Sequence, residues 1–95
     1  MKGSIAYEYP EDKHIIILHR LKFGELEGLR NFVEVMMSHD YLVNVDEKKM
    51  IVDVFKDYTN TDGLILANIF EVASQAKLLG GDYEGYKVIL EGEQA

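Results

Sequence analysis

Residues 14–21 read His-Ile-Ile-Ile-Leu-His-Arg-Leu, and this β-branched run decides the fold. A continuous apolar run of this length is typical of a strand that is buried on both faces, so it predicts a central position in a sheet. Upstream, residues 4–9 are short and aromatic-rich, and residues 10–13 (Pro-Glu-Asp-Lys) have the composition of a turn. Residues 1–13 are therefore expected to add an N-terminal strand and turn, in a hairpin with the central strand.

After this strand the apolar period changes. In residues 24–39 apolar side chains recur every three to four positions, which predicts an amphipathic helix; they are Leu26, Leu29, Phe32, Val33, Met36 and Met37. Two short strands are predicted at 41–45 and 50–55, with the polar residues 46–49 as a hairpin turn. Alternation places Val52 and Val54 on one side of the second of these strands, and Ile51, Asp53 and Phe55 on the other.

A second helix is predicted over 63–79, after several N-cap candidates in residues 59–62 and before Gly80-Gly81 as its stop. Its apolar residues cover more than half of the circumference. One face carries Leu66, Ile69, Phe70, Ala73 and Ala76, while Ile65, Val72 and Leu79 extend round the side. Such a wide belt indicates deep burial or an interface, and burial is the prediction. Residues 82–90 form the last predicted strand, in which Gly85 indicates a bulge or a close backbone approach.

The resulting order of elements predicts the fold class. A β-α-β-β-α-β chain is typical of the α+β, ferredoxin-like split β-α-β sandwich, in which two helices pack on one face of an antiparallel sheet. A chain of 95 residues is expected to form one domain over 1–95 with a single thin core. Residues 92–95 are a polar tail that is expected to fray.

Composition excludes several classes of function. The chain has no Cys, which removes disulfides, thiolate metal sites and cysteine nucleophiles. It has 10 Lys+Arg against 17 Asp+Glu, and this net charge of −7 argues against direct binding of nucleic acid. No segment approaches the ~20 apolar residues of a membrane span, and residues 1–4 lead into the first strand without a signal-peptide apolar region. A soluble cytoplasmic domain is therefore expected.

Candidate catalytic residues are few. His14 and His19 are five positions apart on one strand and so point to opposite faces, and no acidic residue stands at a metal-ligand spacing from either. These histidines and His39 are predicted to be solvated or half-buried rather than ligands. No Ser has a nucleophile-elbow context, and Gly80-Gly81 follows a helix, unlike a phosphate-binding loop. The prediction is a protein without catalytic residues, metal or cofactor.

The second half of the chain carries a more specific pattern. A helix from Leu64 ends in Ala-Lys-Leu-Leu-Gly-Gly, and residues 83–86 then read Tyr-Glu-Gly-Tyr. This segment resembles the regulator of ribonuclease E activity B (RraB) family, which ends its last helix in the same way and continues with Tyr-Asp-Gly-Trp. Residues 19–21, 40–43 and 51–55 resemble the family's earlier strands. The resemblance covers about residues 15–91, and the family's acidic C-terminal extension has no counterpart here.

The resemblance implies a non-catalytic regulator that inhibits an endoribonuclease by binding it. The partner implied is a protein with a basic surface, such as a ribonuclease with Arg-rich segments. Acidic residues from segments that meet at one end or face of the predicted sheet would attract such a partner. The predicted contact surface combines these acids with the motif tyrosines; its members are Asp53, Asp57, Asp62, Asp82, Tyr83, Glu84 and Tyr86.

Two alternatives remain open at this point. Residues 60–64 (Asn-Thr-Asp-Gly-Leu) resemble the phosphorylation loop of anti-sigma-factor antagonist (STAS) domains, with Asp62 in the phospho-acceptor position and Thr59 and Thr61 as conceivable phosphosites. The commoner role of such a segment is a plain N-cap. The other alternative is a self-associating structural domain, in which the apolar belt of the second helix or an open sheet edge forms a homodimer.

Overall fold

A computed structural model describes residues 14–59 and 63–90. The elements are β1 (His14–Phe23), α1 (Leu26–Ser38), β2 (Leu42–Asp46), β3 (Ile51–Thr59), α2 (Leu64–Leu78) and β4 (Gly81–Leu90). The four strands form one sheet in the order β2-β3-β1-β4, and every neighbouring pair is antiparallel. This is the predicted α+β, ferredoxin-like split β-α-β arrangement.

The central position of β1 is confirmed, because β1 pairs with β3 along one edge and with β4 along the other. Both edges of β1 are therefore occupied, and the predicted partner segment 4–9 lies outside the described residues. The expected burial of β1 on both faces is wrong. Its odd-numbered residues are buried, whereas its even-numbered residues are exposed or half-buried. Both helices pack on the same face, so the other face stays open.

The core lies between the sheet and the two helices. Its main cluster joins Leu21 and Phe23 of β1, Val52 and Val54 of β3 and residues of both helices; the helical members are Leu29, Phe32, Met36, Val72 and Ala76. The predicted sidedness of β3 is thus confirmed for Val52 and Val54. A smaller cluster of Ile15, Ile17 and Ile65 continues the core toward the N-terminal end of β1. The burial of these side chains is the main stabilising contribution to the fold.

The second helix is rotated relative to the prediction. The residues that α2 buries are Ile65, Asn68, Val72 and Ala76, while Leu66 is 49% and Phe70 75% exposed. The prediction that the wide apolar belt is buried is therefore wrong. The stripe that meets the sheet contains a polar residue, Asn68, because that amide finds hydrogen-bond partners inside the core.

Backbone geometry explains where α2 begins and ends. Its N-cap is Gly63, with a left-handed φ of 79° and no side-chain cap hydrogen bond, so none of the predicted candidates in 59–62 holds this position. Residues 60–62 lie outside the described part of the chain. At the other end Gly80 has a φ of 88°, which confirms the predicted left-handed glycine stop.

Candidate functional site

The open face of the sheet, which we call the outer face, is covered by no described element. Alternation directs the even-numbered residues of β1 and the odd-numbered residues of β3 toward it. Strand register then places Leu42, Phe55 and Leu18 side by side across three strands. Leu42 is 62% exposed. The outer face therefore presents an apolar row rather than a uniformly charged surface.

An arginine lies at the centre of the outer face. Arg20 donates two hydrogen bonds to Asp53 on the neighbouring strand, from Nε at 2.8 Å and from the terminal nitrogen at 2.9 Å. This bidentate pair raises the pKa of Arg20, and the charge of Glu84 adds to the effect. Asp53 is therefore held by a partner within the chain, and its charge is largely compensated.

The other predicted acids stand farther apart. Asp57 lies near one end of β3, 3.3 Å from Nδ1 of His14, and both side chains are more than half exposed. Asp82 is the register partner of Lys22 near the opposite end of the sheet. Asp62 lies outside the described residues. Asp53, Asp57 and Asp82 thus share the outer face, and each of the three has a basic neighbour.

Strand β4 contains the predicted bulge. Arg20 pairs with Gly85 and Leu21 with Tyr83, so Glu84 is the extra residue, and Gly85 has a φ of 152°. A bulge of this kind changes the side to which the next side chains point. Glu84 lies beside Arg20 in a shallow depression of about 320 Å³, which Tyr86 and Lys87 also line.

The tyrosines of the predicted contact surface have different positions. The Tyr83 side chain turns away from the outer face and its hydroxyl contacts His19 inside the molecule. Tyr86 is the register partner of His19 on the edge strand and is 39% exposed. Among the predicted residues that the structure describes, Tyr83 is thus half-buried on the helix side of the sheet, whereas Asp53, Asp57 and Asp82 lie on the outer face.

The interior contains a site that sequence reasoning missed, a buried polar cluster around His19. This histidine was expected to be solvated or half-buried, but it is fully buried. Its Nε2 lies 2.5 Å from Oδ1 of Asn68, and its Nδ1 lies 2.5 Å from the hydroxyl of Tyr83. Because the amide oxygen only accepts, Nε2 carries the proton, and Nδ1 accepts from Tyr83.

The cluster continues from Asn68 to the surface. The Asn68 amide donates to the hydroxyls of Tyr41 at 2.6 Å and Tyr58 at 2.8 Å. Tyr58 donates to Tyr41 at 3.0 Å, and Tyr41 donates to the exposed carboxylate of Glu71 at 3.4 Å. The ammonium group of Lys56 lies 4.4 Å from the centre of the Tyr41 ring. Every hydrogen of the Asn68 amide thus has a partner, as a buried polar group requires.

Burial sets the protonation states of the cluster. It lowers the pKa of His19, although the hydrogen bond with Asn68 acts in the opposite direction. It raises the pKa values of Tyr41, Tyr58 and Tyr83. At neutral pH the imidazole and the three phenols are therefore uncharged. Such a cluster positions α2 on the sheet by directional hydrogen bonds.

The described residues contain neither a group of side chains suited to a metal ion nor a helix suited to a membrane. Within 14–59 and 63–90, no three His, Cys, Asp or Glu side chains are close enough together to hold a metal ion. In the same ranges neither helix has the length and apolar character needed to cross a membrane. No protein-family model, no curated protein and no solved structure matches this chain.

Proposed function

We propose that this protein is a non-catalytic, protein-binding regulator and that the outer face of the sheet is its contact surface. The observation that supports this best is the apolar row of Leu18, Leu42 and Phe55, which no described element covers. Uncovered apolar surface with a charged rim is typical of protein interaction sites. In this proposal the buried cluster maintains the fold and takes no part in chemistry.

The proposed partner is a protein with a basic surface. The net charge of −7 favours encounter with such a partner. On the outer face Asp57, Asp82 and Glu84 are exposed and can exchange their basic neighbours within the chain for a partner's Lys or Arg, whereas Asp53 is held by the bidentate pair with Arg20. The resemblance to RraB proteins makes a cytoplasmic endoribonuclease of the ribonuclease E type the first partner to test.

The test compares two variants of matched exposure. Leu42→Ser alters the apolar row, and Met37→Ser alters a residue of α1 that is 61% exposed and lies away from it. We expect ribonuclease E to be bound and inhibited by the parent protein and by Met37→Ser, and at least tenfold less by Leu42→Ser. If ribonuclease E is neither bound nor inhibited at excess protein, the ribonuclease proposal fails. If Leu42→Ser binds as well as Met37→Ser, the outer face is not the contact surface.

A second candidate function is structural self-association through α2. It is favoured by Leu66 and Phe70, two large apolar side chains one turn apart that are exposed on the same side of the helix. Light scattering on the eluting protein tests it. A dimer that becomes monomeric in Phe70→Glu, but not in Met37→Glu, supports self-association, and a monomer at all concentrations contradicts it.

A further inference from the structure

Strand β2 forms one edge of the described sheet. It pairs with β3 through residues Leu42–Asp46, and no other strand among 14–59 and 63–90 pairs with it. In an edge strand every second residue directs its backbone N–H and C=O groups away from the sheet. About two or three of the five residues of β2 therefore present free backbone N–H and C=O groups, which is enough to pair with a short added strand in a defined register.

Next to this edge lies a hollow between β2 and α1. Its volume is about 310 Å³, and Leu29 and Val33 of α1 and Val45 of β2 line its apolar wall. Val45 is the register partner of Val52, so its side chain is on the helix side of the sheet. An extended chain laid along the β2 edge would direct alternate side chains toward this hollow, because side chains alternate along a strand.

Charged residues surround the hollow. Nε of Arg30 lies 3.5 Å from a carboxylate oxygen of Glu47, so this pair connects α1 with the turn after β2. Glu34 lies one helical turn farther along α1 and is also exposed. With two carboxylates and one guanidinium, the rim carries a net negative charge, which is complementary to a basic segment.

From these three observations we propose that the β2 edge and the neighbouring hollow bind an extended, basic segment of a partner protein by strand addition. Backbone hydrogen bonds to β2 hold the segment in register. One aliphatic side chain of the segment, of the size of Val or Leu, enters the hollow beside Val33 and Val45. A Lys or Arg near it pairs with Glu34 or Glu47. This site uses the helix side of β2 and stands independently of the outer-face proposal.

The experiment selects ligands without assuming their sequence. A displayed library of random nine-residue peptides is panned on the full chain, and the enriched peptides are synthesised. We expect alternating aliphatic residues flanked by Lys or Arg, and shifts of the methyl resonances of Leu29, Val33 and Val45 on titration. Failure to enrich any peptide overturns the proposal. Shifts centred instead on Ile16 and Leu18 also overturn it, because they assign the binding to the outer face.

Two controls separate strand addition from other modes of binding. A peptide N-methylated at alternate residues keeps its side chains but loses backbone hydrogen bonds, and we expect at least tenfold weaker binding. Glu34→Lys is expected to weaken binding about tenfold, whereas Glu27→Lys, the same change elsewhere on α1, is expected to leave it within twofold. Equal binding by the methylated peptide, or equal effects of the two variants, contradicts the proposal. The proposal is also contradicted if the β2 resonances shift with protein concentration in the absence of peptide, because a second copy of the chain then occupies the β2 edge.

Discussion

The buried imidazole of His19 makes the stability of this protein dependent on pH. Burial lowers the pKa of this group in the folded state below the value of 6.5 that it has in the unfolded chain. Below pH 6.5 the unfolded chain therefore binds a proton that the folded protein does not take up. The free energy of unfolding is therefore highest above pH 6.5. It decreases as the pH is lowered, and the decrease stops once the pH is below the lowered pKa of His19 in the folded state.

The size of the effect follows from the proton bound by the unfolded chain. Because the folded state can at most leave His19 neutral, lowering the pH from 7.5 to 5 reduces the free energy of unfolding by at most about 2 kcal/mol through this group. The slope approaches about 1.4 kcal/mol per pH unit well below pH 6.5. For a domain of this size about 2 kcal/mol corresponds to a fall in Tm of roughly 8–16 °C.

Urea denaturation at a series of pH values measures this directly. The six Tyr residues and the absence of Trp make tyrosine fluorescence a suitable signal, with circular dichroism as a second probe. We expect the His19→Gln variant to be less stable at pH 7.5 and to lose most of the pH dependence between 7.5 and 5. His14→Gln, a change at an exposed histidine, is expected to keep it. A parent protein with a flat profile between these pH values, or a His19→Gln variant with an unchanged slope, would refute the reasoning.

Three further predictions concern packing and backbone. A Cβ on Gly28 would clash with the backbone carbonyl oxygen of Leu79, so Gly28→Ala is expected to lower the free energy of unfolding by roughly 1–3 kcal/mol in urea denaturation, despite the better helix propensity of Ala. Gly80→Ala places a Cβ on a residue with a left-handed φ, and it is expected to lower the free energy of unfolding by about 1–2 kcal/mol, measured as a lower Tm. As the control, a Cβ on Gly24 meets no atom within 4 Å, so the free energy of unfolding of Gly24→Ala is expected to stay within about 0.5 kcal/mol of the parent value. Asn68→Leu leaves the imidazole N–H without its acceptor, and a loss of about 1–3 kcal/mol in the same denaturation assay is expected; a variant as stable as the parent would mean that the cluster adds nothing to the fold.

Most of the fold follows from local patterns in the sequence. The apolar, β-branched run at Ile15–Ile17 was sufficient to identify β1 as a central strand, and Gly80 was sufficient to predict the end of α2, because glycine takes a left-handed φ without a Cβ penalty. The orientation of α2 could not be read in the same way. Its apolar residues allow several buried stripes, and the choice depends on the hydrogen bonds of Asn68 across the sheet, which are long-range contacts.

The site shows the same division between local and long-range information. Alternation along β3 was sufficient to place Asp53 on the outer face, but its pairing with Arg20 depends on the register of two strands. A signal for the buried cluster was present: one polar residue within an apolar helix, Asn68, and one histidine within an apolar strand, His19. Two polar residues that each interrupt an apolar face are candidates to be partners, because a buried polar group needs one.

The pairing of β1 with β4 has a consequence for synthesis of the chain. These two strands lie at opposite ends of the described sequence, yet they form neighbouring strands of the sheet. At about 5–20 residues per second a ribosome needs roughly 5–20 s for 95 residues. During translation β1 can pair with β3 alone, and its other edge stays open until Gly81–Leu90 has emerged. From the time that β1 and β3 have been synthesised until β4 follows them, the nascent chain therefore exposes an unpaired sheet edge that is prone to aggregation.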